Sequence, residues 1–296
     1  MQWNTYNDAL VKRGEILLDF STLETWNHEV KRMNVGKRGA PYTYPESLIT
    51  VLATLRLLLH LPYRQLEGVL RGLSQYVDGL TAPDYSTLDR RINRLTLDLD
   101  DSLVSPDTPT YIAVDSTGIK VHKSGDWIRT KCNARKGYLK IHIAVNVETG
   151  QVVALAVTRE HVHDGTLLES LVESSSERVE IMGVIADGAY DSVHNFTVLS
   201  ERGIEPLLRV RKSAVPWRGG CTARSSALNE QRCGSEAWRQ KCGLRWRVES
   251  AFSWIKRVFG EYVAAKTFEN MAHEILMKVC LYNGFMGMAR GLSVRF

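Results

Sequence analysis

No two of the five cysteines (Cys132, Cys221, Cys233, Cys242 and Cys280) form a Cys-x-x-Cys pair, and their number is odd. Neither a disulfide framework nor a cysteine zinc site is expected from that spacing. No apolar stretch reaches the roughly 20 residues a membrane span needs. The longest, Leu48 to Leu59, is interrupted by Thr50, Thr54 and Arg56. The opening Met1-Gln-Trp-Asn-Thr-Tyr-Asn lacks the basic and apolar regions of a signal peptide, so a cytoplasmic protein with no membrane partner is expected. Internal repeats and low-complexity tracts are also missing.

What remains is a core-forming chain of 296 residues, 44% hydrophobic and 24% charged, with seven Trp and eleven Tyr spread along it. That length suits one large domain plus a helper. The net charge of +5 is a mild basic bias that many enzymes share. Its distribution says more. Arg90, Arg91 and Arg94 form one group, and Lys120, Lys123, Arg129, Lys131, Arg135, Lys136 and Lys140 a second. Arg209, Arg211, Lys212, Arg218, Arg224 and Arg232 form a third, and Arg245, Arg247, Lys256 and Arg257 a fourth. Any one group is an ordinary solvated face; four together suggest a long polyanion crossing several parts of the surface.

Two composition regimes meet in the acidic, Pro-containing stretch from Asp98 to Pro109. Before it the pattern is helical. Glu46 to His60, started by Pro45, is apolar nearly all round and should be buried. Tyr63 to Leu73 places Leu66, Val69, Leu70 and Leu73 on one face. Ser86 to Leu97, capped by Asp84 or Ser86, turns Leu88, Ile92 and Leu95 inward and Arg90, Arg91 and Arg94 outward. Such a trio fits a helix-turn-helix reader of DNA and equally a packing or dimerisation bundle.

After the stretch, strands appear. Tyr111 to Asp115 reads as a short strand ending in a carboxylate, and Tyr138 to Val147 with Gln151 to Thr158 as a hairpin turned at Glu148-Thr-Gly150. Asp164 is read as the cap of a helix through Val172. Glu180 to Ala186 is a strand ending at Asp187, Val193 to Arg202 a helix closed by Gly203, and Glu205 to Val210 a fifth strand. Residues 211–240 read as a basic, Gly- and Ser-containing loop, followed by helices over 245–259 and 269–290. This order defines an α/β layer architecture, an antiparallel meander feeding parallel crossovers, and is the element order of the ribonuclease-H-like fold.

The acids carry the candidate chemistry. Asp115 and Asp187 each follow an apolar strand and precede a Gly, so neighbouring strands would bring both carboxylates to one sheet edge. Two carboxylates that close resist ionisation unless a cation lies between them, and magnesium or manganese suits oxygen ligands. Glu249, at the edge of the face formed by Phe252, Ile255 and Phe259, offers a third ligand, with Arg245 four residues before it and Lys256 seven after. Each acid also has a plain reading: Asp115 and Asp187 as turn starters, Glu249 as the ion-pair partner of Arg245. His161-Val-His163-Asp164 admits a zinc site, but no further His or Cys recurs at ligand spacing. Trp217 and Trp246 could stack on an unpaired base, although Trp246 is expected in the core.

Several ordered blocks carry a resemblance: Ala113-Val-Asp-Ser-Thr-Gly-Ile-Lys-Val121, Lys140-Ile-His-Ile-Ala-Val145 with Glu148-Thr-Gly, Val162-His-Asp164, Ile185-Ala-Asp-Gly-Ala-Tyr-Asp191, and Arg245 to Gly260. Over about residues 41–287 the sequence resembles the insertion-sequence DDE transposases, in the group containing insertion sequence 5. The Arg, three residues, Glu, six residues, Lys spacing matches that group's signature. The resemblance implies that Asp115, Asp187 and Glu249 bind magnesium or manganese, as two ions, and catalyse cleavage at transposon ends and strand transfer into target DNA. It also implies that Arg245 and Lys256 contact DNA near the cut, and that the N-terminal helices, with Arg90, Arg91 and Arg94, help recognise the element's ends. The expected partners are transposon-end and target DNA and a second copy of the chain, as a homodimer on DNA in a cytoplasmic, nucleoid-associated setting. The expected layout is an extension over 1–40, a small all-helical DNA-binding domain over 41–104, and a ribonuclease-H-like catalytic domain with a mixed sheet over 105–296, carrying an insertion near 211–240. One position departs from the signature: the family's Tyr three residues before the Arg is Cys242 here. That departure admits an alternative, a catalytically inactive or domesticated transposase-derived protein that binds DNA without cutting it.

Overall fold

The computed structural model describes residues 3–15, 21–104, 108–121, 138–211, 214 and 222–290. Lys123, Arg129, Lys131, Arg135, Lys136, Lys212, Arg218, Trp217, Cys132 and Cys221 therefore lie outside the described residues. Contacts divide the chain into two compact units, Met1–Asp98 with Gly287–Phe296, and Leu99–Met286. No helix among the described residues is long and apolar enough to cross a membrane.

The first unit is helical: α1 (Trp3–Glu15), α2 (Thr22–Asn34), α3 (Glu46–Leu58), α4 (Tyr63–Leu73) and α5 (Tyr85–Ile92). Helix α3 is buried nearly all round because its polar side chains are satisfied locally. Thr50 and Thr54 donate to the carbonyls four residues back, at 3.0 Å each. Leu66 and Leu70 of α4 and Leu88 and Ile92 of α5 complete the core. Asp84 caps α5, accepting from the Ser86 and Thr87 amides. Helix α5 stops at Ile92 rather than Leu97, because the Asn93 side chain donates to the Asp89 carbonyl and closes the last turn.

The second unit is built on a six-stranded mixed sheet. Its strands are β1 (Thr110–Val121), β2 (Tyr138–Asn146), β3 (Val152–Arg159), β4 (Ile181–Ala186), β5 (Glu205–Leu208) and β6 (Tyr262–Val263). The order is β3-β2-β1-β4-β5, with β6 also pairing β1. The β1-β2-β3 meander is antiparallel, and the pairs β1-β4, β4-β5 and β1-β6 are parallel. Strand β1 runs well past Asp115, contrary to the expected short strand. Ser116-Thr-Gly118 suggests a turn, but β2 pairs with every residue from Ile112 to Lys120, and that pairing overrides the weak strand propensity of Gly118. Gly183 of β4 is required by close approach: a Cβ there would lie 2.7 Å from the Tyr111 ring.

Helices α6 (Leu168–Ser176), α7 (Val193–Glu201), α8 (Thr222–Cys233), α9 (Glu236–Gly243), α10 (Trp246–Phe259) and α11 (Phe268–Met288) flank the sheet. Leu168, Leu171, Val172, Phe196 and Leu199 join Ile112, Val114, Val184 and Leu208 in one apolar cluster. Helix α10 packs on β1 and β2. Trp254 of α10 lies edge-on to Phe259 and Tyr282, ring centroids 5.7 and 5.2 Å away, and so locks α10 to α11.

The stretch 211–240, expected as loop, carries α8 and begins α9. Only Ala227 and Leu228 of α8 are buried, so its sequence shows little periodicity. Tertiary hydrogen bonds hold it instead: the Gln231 amide pairs with both the N–H and the carbonyl of Val210, each at 2.9 Å. Gly234, at φ +62°, ends α8, and Ser235 caps α9.

Three buried polar residues of α11 fasten the sheet. Glu274 accepts from the Ala264 and Ala265 amides while Lys278 donates to the Tyr262 carbonyl, seating β6. Asn283 behaves as an extra strand residue: it accepts from the Val152 amide at 2.7 Å and donates to the Val152 carbonyl at 2.8 Å. Asn283→Ala would orphan both buried backbone groups and should cost about 3 kcal/mol. In urea denaturation the midpoint should fall with little change in slope; an unchanged midpoint would contradict this role for Asn283.

Candidate active site

The register of β1 against β4 aligns the two aspartates. Ala113 pairs with Ile185, so Asp115 and Asp187 each lie two residues beyond the last pair of a parallel ladder. Asp115 is in mid-strand, whereas Asp187 follows the end of β4 and accepts from the Ala189 amide at 2.8 Å. Glu249 comes from the first turn of α10, which packs on β1. Arg245 bridges two of the acids, donating to Asp115 Oδ2 at 2.8 Å and to Glu249 Oε1. The second oxygen of Asp115 accepts from the Ser116 amide at 2.8 Å. Lys256, two turns along α10, donates to Thr117 Oγ1 at 2.7 Å.

Electrostatics mark these acids as neighbours. Burial pushes the Asp115 carboxyl above the ordinary aspartate range. The Ser116 amide and Arg245 pull it back, while the charges of Asp187 and Glu249 push it further up. Asp115, Glu249 and Arg245 are thus joined directly, Asp187 is near enough for its charge to act on Asp115, and Lys256 reaches Thr117, two residues beyond Asp115. Arg90, Arg91 and Arg94 belong to the other unit.

Around this centre lies a polar framework that the sequence does not reveal. Asp164 does not cap a helix: a 3₁₀ turn over Asp164–Leu167 intervenes, and no side chain caps it. Its carboxylate instead accepts from Ser116 Oγ at 2.8 Å and pairs with Lys140 Nζ at 2.7 Å. The long β1 explains the difference, because it carries Ser116 alongside the turn. Asn195 of α7 donates to the Gly165 and Tyr190 carbonyls, at 3.0 and 2.9 Å, tying the turn after Asp164 to the turn after Asp187. Gly165 allows that approach, since a Cβ there would lie 3.1 Å from the Ala189 carbonyl oxygen. Asp191, its side chain 1% exposed, receives both Nε and Nη2 of Arg224, at 2.7 and 3.0 Å. Burial alone would raise Asp191, but Arg224 and the Arg211 amide outweigh it and hold the carboxyl low. The Tyr190 hydroxyl is buried with no hydrogen-bond partner among the described residues.

Three other expectations meet the structure here. Trp246, expected in the core, is 49% exposed, with the Arg247 guanidinium 4.4 Å from its ring. It begins α10 before the buried stripe of Val248, Ala251, Phe252 and Ile255 takes hold. Cys242 is buried against β5, its Sγ 4.0 Å from the Leu207 carbonyl oxygen, and burial pushes its thiol up to about 11. His161 and His163 are exposed and lie between β3 and the 3₁₀ turn.

Among the described residues no group of three His, Cys, Asp or Glu side chains is close enough to hold a metal ion. Asp115, Asp187 and Glu249 each offer carboxylate oxygens, the donor type that magnesium and manganese prefer. The guanidinium of Arg245 lies on two of them, Asp115 and Glu249.

A mixed sheet flanked by helices and preceded by a helical region is consistent with a ribonuclease-H-like fold. Residues 106–283 match the family described as transposase DDE domain, and a second family of the same description matches residues 11–124. The chain belongs to the DDE transposase family. It is also similar to a chain in the cryo-EM structure of the piggyBac transposase synaptic complex with hairpin DNA. Identity there is 11% and the TM-score 0.46, over 97% of this chain and 77% of that one.

His142 on β2 yields a test of the framework. Its ring is fully buried, with Nε2 2.9 Å from Thr158 Oγ1 and Nδ1 3.5 Å from Asp164. Burial lowers its pKa from 6.5 to about 4. Between those values the unfolded chain binds a proton that the folded chain refuses, so stability is complete above 6.5 and falls as pH drops toward 4. From about pH 7 to about pH 4.5 the loss through His142 should be about 2 kcal/mol. Urea unfolding of a His142→Gln protein should show a drop smaller by that amount; an equal drop would place the pH dependence elsewhere.

Proposed function

We propose that this protein is a divalent-metal-dependent polynucleotidyl transferase that cuts DNA at transposon ends and transfers the strand into target DNA. Asp115, Asp187 and Glu249 are its metal-holding acids. The observation that carries this reading is the equal offset of Asp115 and Asp187 beyond the parallel β1-β4 ladder, with Glu249 delivered by the helix lying on β1. Membership of the DDE transposase family supports it.

The three carboxylates would hold two ions of magnesium or manganese. Bound there, the ions would supply Lewis-acid chemistry at the scissile phosphate and water activation near neutral pH. Asp115 supplies a donor on a rigid central strand, and Asp187 and Glu249 supply donors from element ends. Arg245, released from its carboxylates, and Lys256 then become cations for the phosphates flanking the cut. Asp164 holds Ser116, and through it the backbone that presents Asp115. The DNA ends and the target are the partners, and a homodimer would bring two ends together.

The test is cleavage of DNA carrying the element's ends, with magnesium or manganese, by wild type and by Glu249→Gln. Metal-dependent nicking should appear in the wild type. It should fall by about a hundred- to a thousandfold in the variant, the scale of removing a preorganised charge stabiliser, with end binding retained. Unimpaired cleavage by an Asp187→Asn protein would overturn the assignment. End binding without cleavage by the wild type would favour the alternative, a transposase-derived DNA-binding protein.

A further inference from the structure

The first unit contains a cavity of about 510 Å³ that none of the catalytic chemistry uses. Its volume falls within the roughly 300–1,000 Å³ typical of pockets that enclose small groups. Lys37, Arg90, Arg91 and Arg94 all line it, together with Tyr42 and Tyr44, and Glu46 is the one carboxylate in the lining among the described residues. None of the four cations has a carboxylate within ion-pair distance among the described residues. Surface cations left unpaired are common, but four converging on one concavity concentrate positive potential there.

The arrangement differs from the outward-facing arginine row expected of α5. Arg91 is not outward: it is half-buried, its guanidinium 4.6 Å from the Tyr42 ring and donating to the Tyr44 carbonyl at 3.1 Å. Lys37 approaches the same ring, its Nζ 4.1 Å from the centroid. Arg90 and Arg94 are exposed, and Arg90 bonds back only to Ser86 and Thr87 of its own helix. Arg91 therefore carries its charge into a partly desolvated wall, with Glu46 and Glu29 acting on it only from beyond ion-pair distance, and an anion in the cavity would offset the remaining cost. A convergent nest of cations recognises phosphate oxygens; base edges would call for a projecting row.

We propose that this cavity grips the nucleic-acid backbone, taking a phosphodiester of DNA among Lys37, Arg90 and Arg94 beside the Tyr42 ring. The inference rests on DNA being the partner. It goes further in making this a sequence-independent anchor, apart from the acids of the second unit. The arginines of α5 then position the duplex and do not read it.

The experiment follows the anisotropy of labelled duplexes bound to the full chain without divalent metal, over about 50–300 mM salt. One duplex carries the element's end and the other an arbitrary sequence. A Lys37→Gln/Arg90→Gln/Arg94→Gln protein should bind both more weakly by the same factor. Its plot of log affinity against log salt should be shallower by about 0.9 for each phosphate that the variant no longer neutralises. A Lys31→Gln/Arg32→Gln protein, altered at exposed positions outside the cavity, should keep the wild-type slope. Arg91 stays in place because it also holds the Tyr44 backbone. Should the triple variant misfold, Arg94→Gln alone carries the slope test, since that side chain is exposed. An unchanged slope, or an equal loss in the Lys31/Arg32 control, would overturn the proposal. Loss confined to the end sequence would overturn it in favour of base reading. Saturable binding of inorganic phosphate alone, with the DNA slope unmoved, would overturn it in favour of a small anion. If the wild type binds neither duplex, DNA as partner fails as well, which separates that failure from a failure of the cavity alone.

Discussion

Strand β1 is paired along both edges, and the candidate site depends on where that pairing is interrupted. One edge is matched to β2 from Ile112 to Lys120. The other is matched to β4 only as far as Ala113 and to β6 only from Lys120. Between them, Val114 to Ile119 has no strand partner on that side among the described residues, and Asp115, Ser116 and Thr117 lie in the gap. The sheet order also reverses at β1, with the meander on one side and the crossover strands on the other. Crevices at such switch points are where open α/β sheets place their ligands, because backbone groups and side chains are free there to turn outward. Here Arg245, just before α10, and Lys256 within it reach the same gap, one to Asp115 and the other to Thr117.

Charge balance at this gap constrains what can occupy it. Asp115 is largely buried, its side chain 19% exposed, and it feels two other acids. Like charges gathered at low dielectric stay ionised only if a cation compensates them. In the structure that cation is the Arg245 guanidinium. A divalent ion would satisfy the same carboxylates with more charge and less volume, and would free the guanidinium for a phosphate. On the proposed function, metal and DNA would then cooperate through this single side chain, since each favours the arrangement the other needs.

Much of this architecture is legible in the sequence, and the failures share a cause. The strands of the meander, β4 and the buried α3 follow from local periodicity, which is set by their own residues. The continuation of β1 beyond Asp115 is not local: Ser116-Thr-Gly118 becomes strand because β2 lies beside it. Helix α8 is likewise invisible as a pattern, because Gln231 and Arg224 fix it through bonds to Val210 and Asp191. Trp246 escapes the pattern because position in a helix says little about burial in its first turn, where the apolar stripe has yet to start. Asp164 stands out in the sequence as part of Val162-His-Asp164, but its partners Ser116 and Lys140 come from β1 and β2. No spacing along the chain reveals such a meeting.

The three acids are not held with equal firmness, and the difference bears on how the centre would close. Asp115 sits in a central strand, with one oxygen on a backbone amide and the other on Arg245. Asp187 sits in a turn that Asn195 ties to its neighbour and that Arg224 braces through Asp191. Glu249, by contrast, is 53% exposed, and among the described residues its one side-chain bond is to Arg245. If an ion displaces the guanidinium, the cheapest adjustment is rotation of Glu249 toward the two aspartates, since moving either of those would break sheet or turn hydrogen bonds. Two acids preset by the fold and a third that completes the set would make closure sensitive to what α10 contacts. The fourth basic group, with Arg245, Arg247, Lys256 and Arg257, lies along that helix. On the proposed function, a polyanion drawn to α10 would thus act on the same element that delivers the last ligand.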